Sequence, residues 1–98
     1  MTINKTKKAG ALTIEVEGRL ETTTAPDLDA IVKNELGGVE ALTFDFSKLD
    51  YISSAGLRVL LSAQKAMNGK GTMKVTGANE IVMEIFDVTG FSDILTIE

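Results

Sequence analysis

The chain of 98 residues has no cysteine and no histidine, a single proline, and only 5% aromatic residues. Without cysteine there are no disulfides, thiolate metal ligands or thiol nucleophiles, which fits a reducing compartment. Without histidine, Cys/His zinc sites, Ser-His-Asp triads and imidazole general bases are excluded within one chain. The reading is therefore of a non-enzyme with no catalytic residue, no cofactor and no metal. Positive charge is also scarce: 10 basic against 14 acidic residues leave a net charge of −4, so a phosphate backbone meets no general attraction and nucleic acid is not an expected partner. Lys5, Lys7 and Lys8 read as a solvated hairpin turn. No apolar run approaches a signal-peptide core or a membrane span, and the expected compartment is the cytoplasm, without membrane contact.

What is there is a globular balance, 44% hydrophobic and 24% charged, at a length that suits one domain over residues 1–98. Leu12, Ile14 and Val16 alternate with Thr13, Glu15 and Glu17, the period of a strand with one wet face, ended by Gly18. Thr2 to Thr6 supply a partner strand through a hairpin at Lys7-Lys8-Ala9-Gly10. Thr24 is placed to cap a helix whose first turn carries Pro26 and Asp27. That helix shows the stripe Leu28, Ile31, Val32 and Leu36 and stops at Gly37-Gly38.

Ala41 to Phe46 read as a second strand, followed by the polar turn Ser47-Lys48-Leu49-Asp50. A second helix then carries Leu57, Leu60, Leu61 and Met67 and ends near Gly69. Met73 and Val75 mark a short strand, Asn79 caps a third helix stopped by Gly90, and Ile94 to Ile97 form a last strand. Strands alternating with helices predict an α/β fold, a mainly parallel central sheet with an N-terminal hairpin strand and helices packed against it.

Several apparent motifs have plainer explanations. Gly69-Lys70-Gly71-Thr72 lacks the upstream glycine of a phosphate loop, where Gln64 stands, and reads as a turn. Ser54 with Gly56 lacks the first glycine of a nucleophile elbow, where Ile52 stands, and has no histidine base. Asp45, Asp50 and Ser47 suggest an acidic site, but Asp and Ser after a strand more often cap turns. Ser53-Ser54-Ala55-Gly56 differs from these, because it offers two hydroxyls where a loop feeds a helix N-terminus. Ser54 is placed to cap that helix, and a phosphate there adds about −1.5 to −2 charges beside free amides that tolerate an anion. A partner pressed on the same surface meets a doubly charged group, so binding is switched without refolding.

The segment from Leu42 to Leu61, with Asp45-Phe46-Ser47, Asp50-Tyr51-Ile52-Ser53-Ser54-Ala55-Gly56-Leu57 and Arg58-Val59-Leu60 at its centre, resembles the signature of STAS-domain anti-sigma-factor antagonists. Glu17-Gly18-Arg19-Leu20, Thr22 to Pro26, Val75 to Ala78 and Val88 to Phe91 extend the resemblance over nearly the whole chain. It implies partner switching: the unphosphorylated protein sequesters a serine-kinase anti-sigma factor, freeing a sigma factor, and a PP2C-type phosphatase resets the cycle. The family's phosphorylated serine lies two residues before the glycine of the helix-entry turn, which is Ser54 here, with Ser53 as second choice. Thr22, Thr23, Thr24, Ser53, Ser54, Ala55, Gly56, Leu57 and Arg58 are the expected partner-binding residues, with Glu21 and Asp27 as further candidates. Many members have aspartate at the position of Ser53 and a small hydroxyl residue at that of Ala55, and relatives usually continue into another helix after the last strand. The alternative is an unphosphorylated STAS subunit or ligand sensor of a transporter or another signalling complex.

Overall fold

The computed structural model describes residues 1–98. Strands β1 (Thr2–Lys8) and β2 (Ala11–Leu20) form an antiparallel hairpin, and α1 (Ala25–Asn34) carries the chain to β3 (Ala41–Asp45). Next come β4 (Leu49–Ile52), α2 (Ser54–Met67), β5 (Thr72–Thr76), α3 (Glu80–Thr89) and a 3₁₀ turn at Phe91–Asp93. The sheet runs β1-β2-β3-β5, with β4 beside β2, and every pairing except the hairpin is parallel. The expected mainly parallel α/β sheet with its N-terminal hairpin strand is therefore the fold. Inward residues of the strands, Leu12, Ile14, Val16, Leu42, Phe44, Met73 and Val75, join Leu28, Val32, Leu60, Met67, Val82 and Phe86 of the helices in one buried cluster. Burial of such apolar area, at about 25 cal/mol per Å², is what orders these short elements.

The details depart from the sequence reading in five places. Gly18 does not end β2: the strand continues to Leu20, and Gly18, at φ +98°, sits at a register shift where β2 leaves β3 and takes up β4. A residue without Cβ accommodates that positive φ, and the bend re-aims the end of the strand. Lys7 and Lys8 lie on β1 rather than in the turn, which is Ala9-Gly10 alone. The segment Leu49 to Ile52, read as turn and lead-in, is strand β4, because Leu49 and Ile52 bury against the core while β2 supplies its ladder. Helix α1 stops at Asn34, before Gly37-Gly38, and of these two only Gly38 is left-handed. Finally, Ile94 to Ile97 do not form a strand: a single bridge joins Ile97 to Val75, since the 3₁₀ turn brings this segment alongside β5 for only part of its length.

Candidate functional site

The bend at Gly18 sets the site. Beyond it Arg19 pairs with Tyr51 and Leu20 with Ile52, so the end of β2 and the end of β4 lie side by side. The Ser53 amide extends the ladder by donating to the Leu20 carbonyl at 2.9 Å. Each strand feeds a helix, and the two feeding segments, Glu21 to Thr24 and Ser53 to Gly56, therefore meet although some thirty residues apart in the chain. Between α1 and α2 lies an open groove of about 330 Å³, lined by Thr22 from the first segment, Ala55 from the second, and Asp29, Lys33, Arg58 and Ser62.

Close approach of α2 to the strands depends on Gly56. A Cβ there would come within 2.7 Å of Ile52 Cγ1 and 2.8 Å of Leu20 Cγ, separations that packed carbons do not reach. With only hydrogen at this position, the first turn of α2 lies directly on the strand ends. Ser53, in extended conformation, is the N-cap residue, and Ser54 is the first helical residue, one position later than the cap expected for it. Neither hydroxyl caps the helix. Ser53 Oγ is shielded from solvent and finds no partner within the chain, whereas Ser54 is exposed. The first-turn amides of α2 thus carry their partial positive charge toward an exposed hydroxyl, with no side chain competing for them.

The threonine segment is braced from inside. Thr24, expected to cap α1, does not: its Oγ1 accepts from the Glu21 amide at 2.8 Å and donates to the Arg19 carbonyl at 2.8 Å, tying the turn that precedes the helix. Its own αR-like backbone, φ −107° and ψ −25°, turns the hydroxyl back along the chain. Thr22 and Thr23 remain exposed. The Glu21 carboxylate is held by Arg19 Nε at 3.1 Å, and the Arg19 guanidinium also lies 4.5 Å from the Tyr51 ring centroid. Asp27 is exposed in the first turn of α1, where its charge suits the helix N-terminus.

The structure brings Thr22, Ala55 and Arg58 to the one groove, with Ser54 exposed at the start of the same helix as Arg58; Thr23 is exposed next to Thr22 but does not line the groove. Gly56 and Leu57, both expected on the partner face, are buried: Leu57 points into the core at 6% exposure, and Gly56 shapes the surface only by letting α2 sit close. The reading from sequence missed the groove residues Asp29, Lys33 and Ser62, although the i,i+4 spacing of Asp29 and Lys33 is a legible ion-pair signal and they bridge at 2.7 Å. Asp45 serves a turn: its Oδ1 accepts from the Ser47 amide at 3.0 Å, and that bond, with a second from the Ser47 hydroxyl and the charge of Lys48, holds its carboxyl below the usual range against a small opposing effect of burial.

No helix is long and apolar enough to cross a membrane. A family model described as STAS domain matches residues 2–98. Among curated proteins, BtrV of Bordetella bronchiseptica, whose name carries a provisional assignment as an anti-sigma factor antagonist, is 31% identical over 99 residues, covering 99% of this chain and 85% of BtrV. The crystal structure of an anti-sigma factor antagonist from Mycobacterium paratuberculosis superimposes with a TM-score of 0.89 at 20% identity, covering 98% of this chain and 83% of that one. The antagonist SpoIIAA in its unphosphorylated form superimposes with a TM-score of 0.78 at 13% identity, covering 99% and 87%, and a structure of its phosphorylated form gives the same TM-score at 14% identity, covering 99% and 91%.

Proposed function

The chain belongs to the STAS-domain family, and from that premise we propose that it is a cytoplasmic anti-sigma-factor antagonist that works by binding rather than catalysis. In its unphosphorylated form it binds and sequesters a serine-kinase anti-sigma factor through Thr22, Thr23, Ser54, Ala55 and Arg58. The kinase transfers the γ-phosphoryl group of ATP to Ser54 Oγ, whose proton is released as ADP leaves, and the complex dissociates. A PP2C-type phosphatase hydrolyses the phosphoserine and restores binding.

One observation carries this reading: Ser54 is exposed at the first position of α2, beside a groove, with the helix's first-turn amides uncapped. A phosphate there finds a favourable field and leaves the fold undisturbed, while a partner docked on the groove meets a hydrated dianion. The neighbouring Ser53 is a poorer acceptor because its hydroxyl is buried. The relatives named as antagonists, and the existence of SpoIIAA in both phosphorylation states, support the same assignment by similarity.

Incubation with ATP and the cognate serine kinase, followed by intact-mass measurement, tests it. The wild type and Ser53→Ala are expected to gain one phosphate and lose kinase affinity, and Ser54→Ala to gain none and stay bound. No phosphate on any of the three, together with no binding to that kinase, would indicate the unphosphorylated STAS subunit instead.

A further inference from the structure

Helix α2 carries Arg58 one turn after Ser54, and both are exposed. Residues four apart share a helix face with Cβ atoms about 5–6 Å apart, and long side chains lean toward the N-terminus, so the Arg58 side chain is within reach of the turn that holds Ser54. Arg19 and Arg58 are the chain's two arginines. Arg19 is committed to Glu21 and to the face of Tyr51. Arg58 enters none of the five ion pairs, which join Lys5 to Glu35, Arg19 to Glu21, Lys33 to Asp29, Lys48 to Glu15 and Lys74 to Glu98. The other charged residues lining its groove, Asp29 and Lys33, neutralise each other. Arg58 is thus the groove's uncommitted cation, a planar donor fork one helical turn from an exposed hydroxyl.

Resting on the reading that Ser54 is the phosphorylated residue, we propose that Arg58 is a latch: it clasps the phosphate on Ser54 within the same chain and is thereby withdrawn from the partner. Guanidinium and phosphate match as a two-bond fork, and the uncapped amides of the α2 first turn hold the phosphate from its other side. In the unmodified protein the same guanidinium is free to receive a carboxylate of the docked kinase across the groove. Phosphorylation then acts twice, by introducing a dianion and by consuming the cation that the partner's acidic group needs. The switch is local, requiring one arginine rotamer and no movement of the sheet.

The test installs phosphoserine at position 54 of the full chain by genetic encoding, so that no kinase is needed, and titrates it by phosphorus NMR. The second phosphate pKa is expected to lie about 0.5 unit lower in the wild type than in Arg58→Gln, with Arg58→Lys between them. The gap is expected to shrink in about 1 M salt, where the Debye length is about 3 Å. Coincident titrations of the wild type and Arg58→Gln would overturn the latch. In the unmodified chain, Arg58→Gln is expected to weaken kinase binding about tenfold, as loss of a charge-assisted hydrogen bond does, and unchanged affinity would overturn the anchoring role. Failure of the kinase to modify Ser54 would instead defeat the functional reading, whatever the titration gives.

Discussion

Helices α2 and α3 begin alike in backbone and differently in chemistry. Both follow an extended cap residue, Ser53 at φ −98° and ψ 178°, Asn79 at φ −75° and ψ 176°. In both, the cap carbonyl accepts the first helical bond at 2.9 Å, from Leu57 and from Met83. At α3 the side chain completes the arrangement: Asn79 Oδ1 accepts from the Val82 amide at 2.8 Å, and its Nδ2 donates to the Leu49 carbonyl at 3.0 Å, fastening the helix to β4. At α2 no side chain does this, and Ser53 Oγ has no partner within the chain. The third helical residue differs too, a buried valine in α3 and a glycine in α2. One terminus satisfies its own amides and stabilises the fold. The other forgoes that stabilisation and leaves its first-turn amides without a side-chain cap beside the exposed Ser54, which in the proposed function is where the phosphate sits, as local rules are expected to yield at functional positions.

Substitutions at the two termini test this contrast. The largest effect is expected from Gly56→Val, which forces a side chain onto Leu20 and Ile52 and should cost about 3 kcal/mol by overpacking, read by urea denaturation. A loss much smaller than that would mean that α2 does not depend on close approach. Asn79→Ala removes a cap and leaves the Leu49 carbonyl without its donor, so a loss of about 2 kcal/mol in the same assay is expected. Ser53→Ala removes a hydroxyl that bonds to nothing in the chain and should alter stability by less than about 0.5 kcal/mol. If Ser53→Ala cost as much as Asn79→Ala, the two termini would be equivalent and the contrast would be lost.

Legibility from sequence followed the range of the interactions. The α3 caps were readable because Asn79 and Gly90 act on their own helix. The hairpin and the helix stripes were readable for the same reason. Strand β4 was not: Ser47-Lys48-Leu49-Asp50 reads locally as a polar turn and leaves only Tyr51 and Ile52 after it, and the ladder offered by β2 is what makes Leu49 to Ile52 a strand. Thr24 has the right residue type at the right spacing for a cap, yet its hydroxyl is used by Arg19 and Glu21, a choice made by the bend that β2 takes at Gly18. Leu57 stands among the expected partner-facing residues with the serines it follows, yet it also belongs to the apolar stripe of the second helix, and that phase turns it inward.

The sequence by itself determined the alternation of strands and helices, the junction where Ser53-Ser54 enters a helix, the absence of histidine and cysteine chemistry, and the one-turn spacing of Ser54 and Arg58. These depend on residue type and short-range periodicity, which the chain carries wherever it goes. Tertiary structure decided that Thr22 lies across a groove from Arg58, that the Ser53 hydroxyl is shielded while Ser54 is exposed, and that Arg58 alone among the groove's charged residues has no partner. Those outcomes depend on β2 and β4 lying side by side and on α2 settling over Gly56, contacts between segments some thirty residues apart that no local pattern encodes.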